Sequence, residues 1–273
     1  MIPILFEIGP LKIYSYGLML GIGFLLGSYI LSLEFRRKGI DPNLSSNITI
    51  LALVFGIAGA KLLYLIENWT AFMRAPVDMT FSAGGLTWYG GFFLGIAAVL
   101  LYVRSKHISM LTVLDSLGVA LLLAYGVARL GCHLSGDGDY GFPTDLPWGT
   151  DYSKGTYPPS SAFKIFPEIT SQFPSGIIPD DIPCHPTPVY EMILGVIGFT
   201  LMWTIFRKKN FPPGMLFAIY LVMAALFRFS IEFLRLNPRL ALGLSEAQLI
   251  SAVLFVVGVG WIIRLRNTTS STT

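Results

Sequence analysis

Two stretches, residues 13–33 and 84–103, run for the length of a membrane-crossing helix without a single charged side chain, and this limits the fold more than any other feature. Crossing the hydrocarbon core takes roughly 20 mainly apolar residues. The span must also satisfy every backbone polar group internally, which a helix does. Five further stretches, 48–66, 108–128, 188–206, 214–234 and 247–263, reach similar length with few charges. The expected fold is an all-α integral membrane protein of seven transmembrane helices, a single domain over residues 1–273. Composition agrees. Only 13% of the 273 residues are charged and 53% are hydrophobic, against about 25% charged in ordinary soluble domains. Too few charges remain to cover a water-exposed globule of this size, which excludes a soluble enzyme, a disordered chain and a nucleic-acid binder. The lipid bilayer is the expected partner.

Basic residues set the expected orientation. With the N-terminus outside, Arg36, Arg37, Lys38, Arg104, Lys106, Arg207, Lys208, Lys209, Arg264 and Arg266 fall in short cytoplasmic connections or at the cytoplasmic C-terminus. The opposite face collects Lys12, Arg74, Lys154, Lys164, Arg235 and Arg239 over much more chain. The positive-inside rule therefore reads N-terminus outside, C-terminus cytoplasmic. On the outer side, residues 132–187 form one long connection between helices 4 and 5, with nine of the 17 prolines, seven acidic residues and no helical periodicity. Its aromatic content favours a folded extracytoplasmic cap. Cys132 and Cys184 bracket that cap, either bridged across its two ends or as two small buried thiols.

Charges at membrane depth cost on the order of 3 kcal/mol each on insertion scales and call for a partner or a purpose. The candidates are Lys61, Asp115, Arg129, Glu191, Arg228 and Glu232. Arg129 and Arg228 both fall toward the outer leaflet, where a guanidinium can hold a phosphate by two parallel hydrogen bonds. The structural alternative is that Arg228 and Glu232, spaced i,i+4, neutralise each other and that Arg129 snorkels. Lys61 and Asp115 read as a buried pair or as helix-packing contacts. After Arg129 comes a glycine-rich segment, Arg129-Leu-Gly-Cys-His-Leu-Ser-Gly-Asp-Gly-Asp-Tyr-Gly141. Its glycines permit close approach of the backbone to a ligand, and exposed N–H groups beside an arginine suit a phosphate. A second such element is Gly84-Gly85-Leu-Thr-Trp-Tyr89-Gly90-Gly91 at the start of the third span, read alternatively as an aromatic belt with packing glycines.

Three motif-like patterns fail on context. The Gly-x-Gly-Asp at 136–139 lies in a loop rather than in the membrane helix that an intramembrane protease requires. A calcium loop begun at Asp137 reaches Trp148 where a glutamate is needed. The glycines at 21, 23 and 27 follow no strand and read as helix packing, not a nucleotide loop. No metal-ligand spacing stands out, and nothing calls for a cofactor. Paired broken helices and a repeat of the spans, the marks of a transporter, are missing.

Taken in order, Phe6-Glu-Ile-Gly-Pro-Leu-Lys-Ile-Tyr-Ser-Tyr16-Gly-Leu-Met19, Gly59-Ala-Lys-Leu-Leu-Tyr64, Gly84 to Gly91, Arg129 to Gly141, Asp145-Leu-Pro-Trp-Gly149, His185-Pro-Thr-Pro-Val-Tyr-Glu191, Arg228-Phe-Ser-Ile-Glu232 and Gly243-Leu-Ser-Glu-Ala-Gln248 resemble the prolipoprotein diacylglyceryl transferase family over nearly the whole chain. The resemblance implies seven spans in the bacterial inner membrane. It also implies transfer of a diacylglyceryl group from phosphatidylglycerol to the lipobox cysteine of a preprolipoprotein signal peptide. Tyr16, Arg129, Gly141, Arg228 and Glu232 fall on positions important in that family. Three places depart from it: Tyr89 stands where the family usually has His, Cys132 where it has Asn, and Ser135-Gly136-Asp137 where it has Asn-Gly-Glu, with one extra residue before Gly141.

The implied reaction needs a thiol to lose its proton and a glycerol phosphate to leave. Arg129 and Arg228 would meet the leaving charge, Glu232 would orient an arginine, and Tyr16 would hydrogen-bond the headgroup or the entering thiol. His133, His185, Asp137 or Asp139 would accept the proton, since Tyr89 with an ordinary pKa near 10 is a poor base. Arg129, Gly84, Gly85, Gly90, Gly141 and Asp139 are the expected substrate-binding positions. His185, which precedes the fifth span, has the alternative reading of a capped helix entrance. The alternative function is a divergent homologue with another lipid donor or acceptor, or a non-catalytic lipid- or lipoprotein-binding membrane protein.

Overall fold

A computed structural model describes residues 1–9, 11–82 and 84–270. The chain is mostly helical, and its long helices are α1 Ser15–Arg37, α2 Leu44–Glu67, α3 Trp88–Ser105, α4 Met110–Ser135, α5 Thr187–Thr204, α6 Met215–Ile231 and α7 Glu246–Ser270. Six helical segments, with α5 counted through the adjoining 3-10 turn, are long and apolar enough to cross a membrane; α6 is apolar but shorter, at 17 residues. Three small antiparallel strand pairs lie among the described residues: β1 Ile4–Ile8 with β2 Leu11–Tyr14, β3 Thr150–Asp151 with β4 Pro183–Cys184, and β5 Arg239–Ala241 with β6 Leu244–Ser245.

The described chain divides into two compact units, Met1–Gly27 with Leu117–Thr273, and Ser28–Ser116. In the second, glycines set the packing of α2 on α3. A Cβ on Gly59 would lie 2.3 Å from the Gly90 carbonyl oxygen, and a Cβ on Gly91 2.7 Å from that of Gly56. Small residues at such crossings let two backbones touch, which matters in lipid because helices there gain little from the hydrophobic effect.

Two helix ends differ from the sequence expectation. The third helix begins at Trp88, so Gly84 and Gly85 precede it. The fourth runs on to Ser135, which puts Cys132 and His133 on its last turn rather than in a loop and leaves Arg129 within the helix. It stops where Gly136 takes φ +57° while its N–H bonds the Cys132 carbonyl at 3.0 Å, a left-handed helix end that glycine adopts without strain.

Beyond Gly136 the connection is not wholly irregular, as the sequence suggested. It holds short helices at Pro159–Ala162 and Pro167–Thr170 and packs around Tyr140, Tyr152, Phe163, Ile178 and Cys184, each at most 1% exposed. Cys132 and Cys184 are both free and buried, so two buried thiols, not a bridge, describe them. Burial pushes the Cys184 thiol up to about 12. Lys61 and Asp115 do not pair. Lys61 donates to Ser82 O at 2.9 Å and Gly84 O at 2.8 Å, while Asp115 lies 3.9 Å from Lys38.

Candidate functional site

The site grows from one helix contact. Between α4 and α5, a Cβ on Gly195 would lie 2.9 Å from the Leu122 carbonyl oxygen, and one on Gly126 3.1 Å from that of Met192. Only glycines allow this approach. It brings Glu191 of α5 against Tyr125 and Arg129 of α4, two residues one turn apart on the same face.

Glu191 is only 2% exposed, accepts hydrogen bonds from three donors and forms an ion pair with a fourth group. Tyr125 Oη (2.6 Å) and Arg228 Nη1 (2.8 Å) reach its Oε1, while Arg129 Nε (3.2 Å) and Arg235 Nη1 (3.0 Å) reach its Oε2. The Arg129 guanidinium also sits 5.0 Å from the centre of the Tyr125 ring, in cation–π range.

A second buried carboxylate, Glu232, follows α6 directly. Its Oε2 meets Arg228 Nη2 at 2.9 Å, the i,i+4 pair read from the sequence, and its Oε1 accepts from Ser245 Oγ at 2.8 Å and from Asn237. Ser245 opens α7 with a capping box: its Oγ accepts the Gln248 N–H at 3.2 Å, and Gln248 Oε1 accepts the Ser245 N–H at 3.0 Å. The start of α7 thus fixes a hydroxyl on the acid that holds Arg228.

The third carboxylate comes from the segment after α4. Asp139 bonds Arg129 Nη1 through one oxygen and Arg235 Nη2 through the other. Three guanidiniums and three carboxylates so form one neutral network. Pairing of this kind lowers the cost of burying the charges, though Glu232 Oε2 and Arg235 Nε are held by ion pairs without a hydrogen bond. Burial drives the Asp139 carboxyl up, but Arg235 and then Arg129 outweigh it and hold the group below the usual carboxylate range.

Gly141 explains how Arg235 arrives. Its N–H bonds the His185 carbonyl at 2.9 Å, the next N–H, of Phe142, bonds the Leu234 carbonyl at 3.0 Å, and Gly141 pairs with Arg235 as an isolated bridge. A Cβ here would lie 2.2 Å from the Leu234 oxygen. Its role is close approach of two backbones.

Beside the network lie Asp137, Cys132 and Tyr16. The Asp139 N–H donates to Asp137 Oδ1 at 3.3 Å, and ligand-type atoms of Cys132, Asp137 and Asp139 lie within 4.8 Å of one another. Arg129 Nη1 stands 3.7 Å from the Cys132 sulfur and Asp139 is taken up by two guanidiniums, a poor setting for a cation. Burial and then the Asp139 charge raise the Asp137 carboxyl above its ordinary value. Tyr16 is within electrostatic reach of Cys132, Asp137, Arg129 and Asp139, and α1 comes this close because a Cβ on Gly131 would lie 3.3 Å from the Tyr16 Cα.

The two histidines of this unit are engaged elsewhere. His133 Nδ1 is 3.0 Å from Tyr152 Oη, whose ring stacks on Tyr140 at 4.2 Å. His185 Nδ1 is 3.4 Å from Tyr190 Oη, which accepts from Trp148 Nε1 at 2.7 Å, and burial lowers the His185 pKa.

The remaining sequence candidates belong to the unit Ser28–Ser116. Tyr89 and Gly90 are on the first turn of α3, and Gly90 faces the Gly59 backbone. Gly85 takes φ +70° with its α-carbon against the Tyr64 ring, and Gly84 accepts from Lys61.

Sequence reasoning missed Arg235, Tyr125, Ser245 and Gln248. Arg235 reads as one of the outer-face charges, although its spacing of seven from Arg228 is two helical turns. Ser245-x-x-Gln248 is a capping box ahead of an apolar run, legible without coordinates.

The chain is similar to known proteins along nearly its whole length. Residues 3–264 match the family model described as prolipoprotein diacylglyceryl transferase. A phosphatidylglycerol--prolipoprotein diacylglyceryl transferase of Clostridium tetani is 31% identical over 259 residues, covering 94% of this chain and 95% of that protein. Proteins of the same name from Parasynechococcus marenigrum and Leptospira interrogans are 30% and 26% identical, covering 94% and 92% of this chain and 91% and 88% of their own lengths.

Proposed function

We propose a mechanism on the premise that the chain belongs to the prolipoprotein diacylglyceryl transferase family. It is a multi-pass membrane transferase of lipoprotein biosynthesis and moves a diacylglyceryl group from phosphatidylglycerol to a prolipoprotein. The acceptor atom in our reading is the lipobox cysteine sulfur beside a signal peptide. We take the membrane to be the bacterial inner membrane, with the N-terminus outside on the positive-inside argument. α6 counts as a seventh span, since 17 residues rise about 26 Å and flanking residues make up the difference. Residues 132–187 serve as a cap over the outer end, within a single domain.

The observation that carries the mechanism is the convergence of three guanidiniums on the buried Glu191. In the reaction the acceptor thiolate forms a sulfur–carbon bond to the glyceryl carbon while the bond from that carbon to the phosphate oxygen breaks. Charge then builds on the departing glycerol phosphate. Arg129 and Arg228, 18% and 25% exposed, face that charge with donors already oriented by Glu191 and Glu232. Asp137 accepts the thiol proton, since its carboxyl is raised toward neutral pH and both histidines of its unit are held by tyrosine hydroxyls. Tyr16 donates to a headgroup oxygen.

Purified protein, phosphatidylglycerol and a lipobox peptide should give the diacylglyceryl thioether by mass spectrometry. Arg129→Ala should lower turnover by on the order of 10³-fold while the protein remains folded in detergent. Wild-type turnover in that variant removes the arginine assignment, and absence of thioether with any phospholipid removes the transferase reading.

A further inference from the structure

We propose that Asp139 is an internal anion, seated between Arg129 and Arg235 until a phosphate group displaces it. The inference rests on the reading above, in which Arg129 grips a phosphate.

The three acids of the network are not equivalent. Glu191 and Glu232 have side chains 2% and 0% exposed, whereas the Asp139 side chain is 32% exposed. Its two oxygens bridge two different guanidiniums, as two oxygens of a phosphate would. Its backbone is pinned, with the Thr187 hydroxyl donating to the Asp139 carbonyl at 2.6 Å and the Gly141 N–H bonded to His185, so leaving the fork takes side-chain rotation and no refolding.

The charge count points the same way. With Asp139 in place, three arginines face three carboxylates and this network of six is neutral. With Asp139 turned out, the network carries one positive charge, the complement of a phosphodiester. The ligand exchanges one anion for another and never enters a bare positive site. The same exchange in reverse expels glycerol phosphate once it has formed.

The test is titration calorimetry on the full detergent-solubilised chain with inorganic phosphate and glycerol phosphate, and binding of phosphatidylglycerol against phosphatidylcholine nanodiscs. Removing the competing anion in Asp139→Asn or Asp139→Ser should tighten glycerol phosphate binding about tenfold or more and slow its release. A gain on glycerol phosphate alone assigns the fork to the departing product. A gain on phosphatidylglycerol as well assigns it to the headgroup too. Unchanged or weaker binding in both variants, or failure of both to fold, makes Asp139 a prop for the arginines and overturns the proposal. Arg129→Ala separates this from the parent reading: if it binds phosphate like the wild type, the arginine–phosphate reading has failed, whereas lost binding there with no gain at Asp139 sinks the internal anion alone.

Discussion

Residues 84–91 and 136–141 look alike as sequence, each rich in glycine and carrying an ionisable side chain, Tyr89 or Asp137, but their neighbours in the fold differ. Around Gly90 the nearest atoms are the Gly59 carbonyl and the Leu63 Cβ, so that glycine serves the packing of two helices. Around Gly141 they are the Leu234 carbonyl, Thr187 and His185, so that glycine serves the delivery of Arg235 to an ion network. Glycine richness therefore serves two physical jobs. The contact a Cβ would make separates them where the sequence cannot.

The largest expected effect tests this contrast directly. Gly141→Ala forces a methyl against the Leu234 carbonyl and moves Arg235 away from Glu191 and Asp139. Misplacing a positioning group by about 1 Å costs on the order of 10²-fold in rate, so turnover should fall at least that far. The control is Gly84→Ala, which meets nothing within 4 Å and should stay within about twofold of the wild type. Equal losses from the two, measured as thioether formed per minute, would erase the distinction.

The next effect concerns the ionisable side chain in each segment. Asp137 works as a base only when ionised, and its pKa is raised, so turnover should fall with acid at a pH above the ordinary carboxylate range. Asp137→Asn should lower the rate about 10²-fold and abolish that acid limb. Tyr89→Phe should leave the limb where it is. An acid limb that survives in Asp137→Asn passes the role to another group.

Much of this molecule is legible before any coordinates, for reasons that can be stated residue by residue. Length without charge marks helices such as α1 and α7, because the bilayer forbids unpaired charge. The spacing of Arg228 and Glu232 predicts their ion pair, because i and i+4 share a helix face. The helical state of Cys132 and His133 is not legible, since a run containing Gly131 and Gly136 reads as loop until the second glycine is seen to terminate the helix. The network around Glu191 is also hidden. It joins residues 125, 129, 191, 228 and 235, and a single chain carries no signal for contacts so far apart in sequence. Its one local trace, the Ser245–Gln248 capping box, marks the start of α7 but not that Ser245 also donates to Glu232.

The smallest expected effect on catalysis, and the one that sharpens the comparison most, is at Gly90. Sequence reasoning made it a substrate-binding position beside Gly84 and Gly85. In the fold its α-carbon faces α2, where an added Cβ would lie 2.3 Å from the Gly59 oxygen, and Gly59 makes the reciprocal contact. Gly90→Ala should therefore act as overpacking, with a cost of about 1–3 kcal/mol, seen as a lower melting temperature in detergent. The KM for phosphatidylglycerol should stay within about twofold, as expected where a residue touches no substrate. A raised KM with an unchanged melting temperature would instead return Gly90 to the substrate, and with it the view that both glycine-rich segments do the same work.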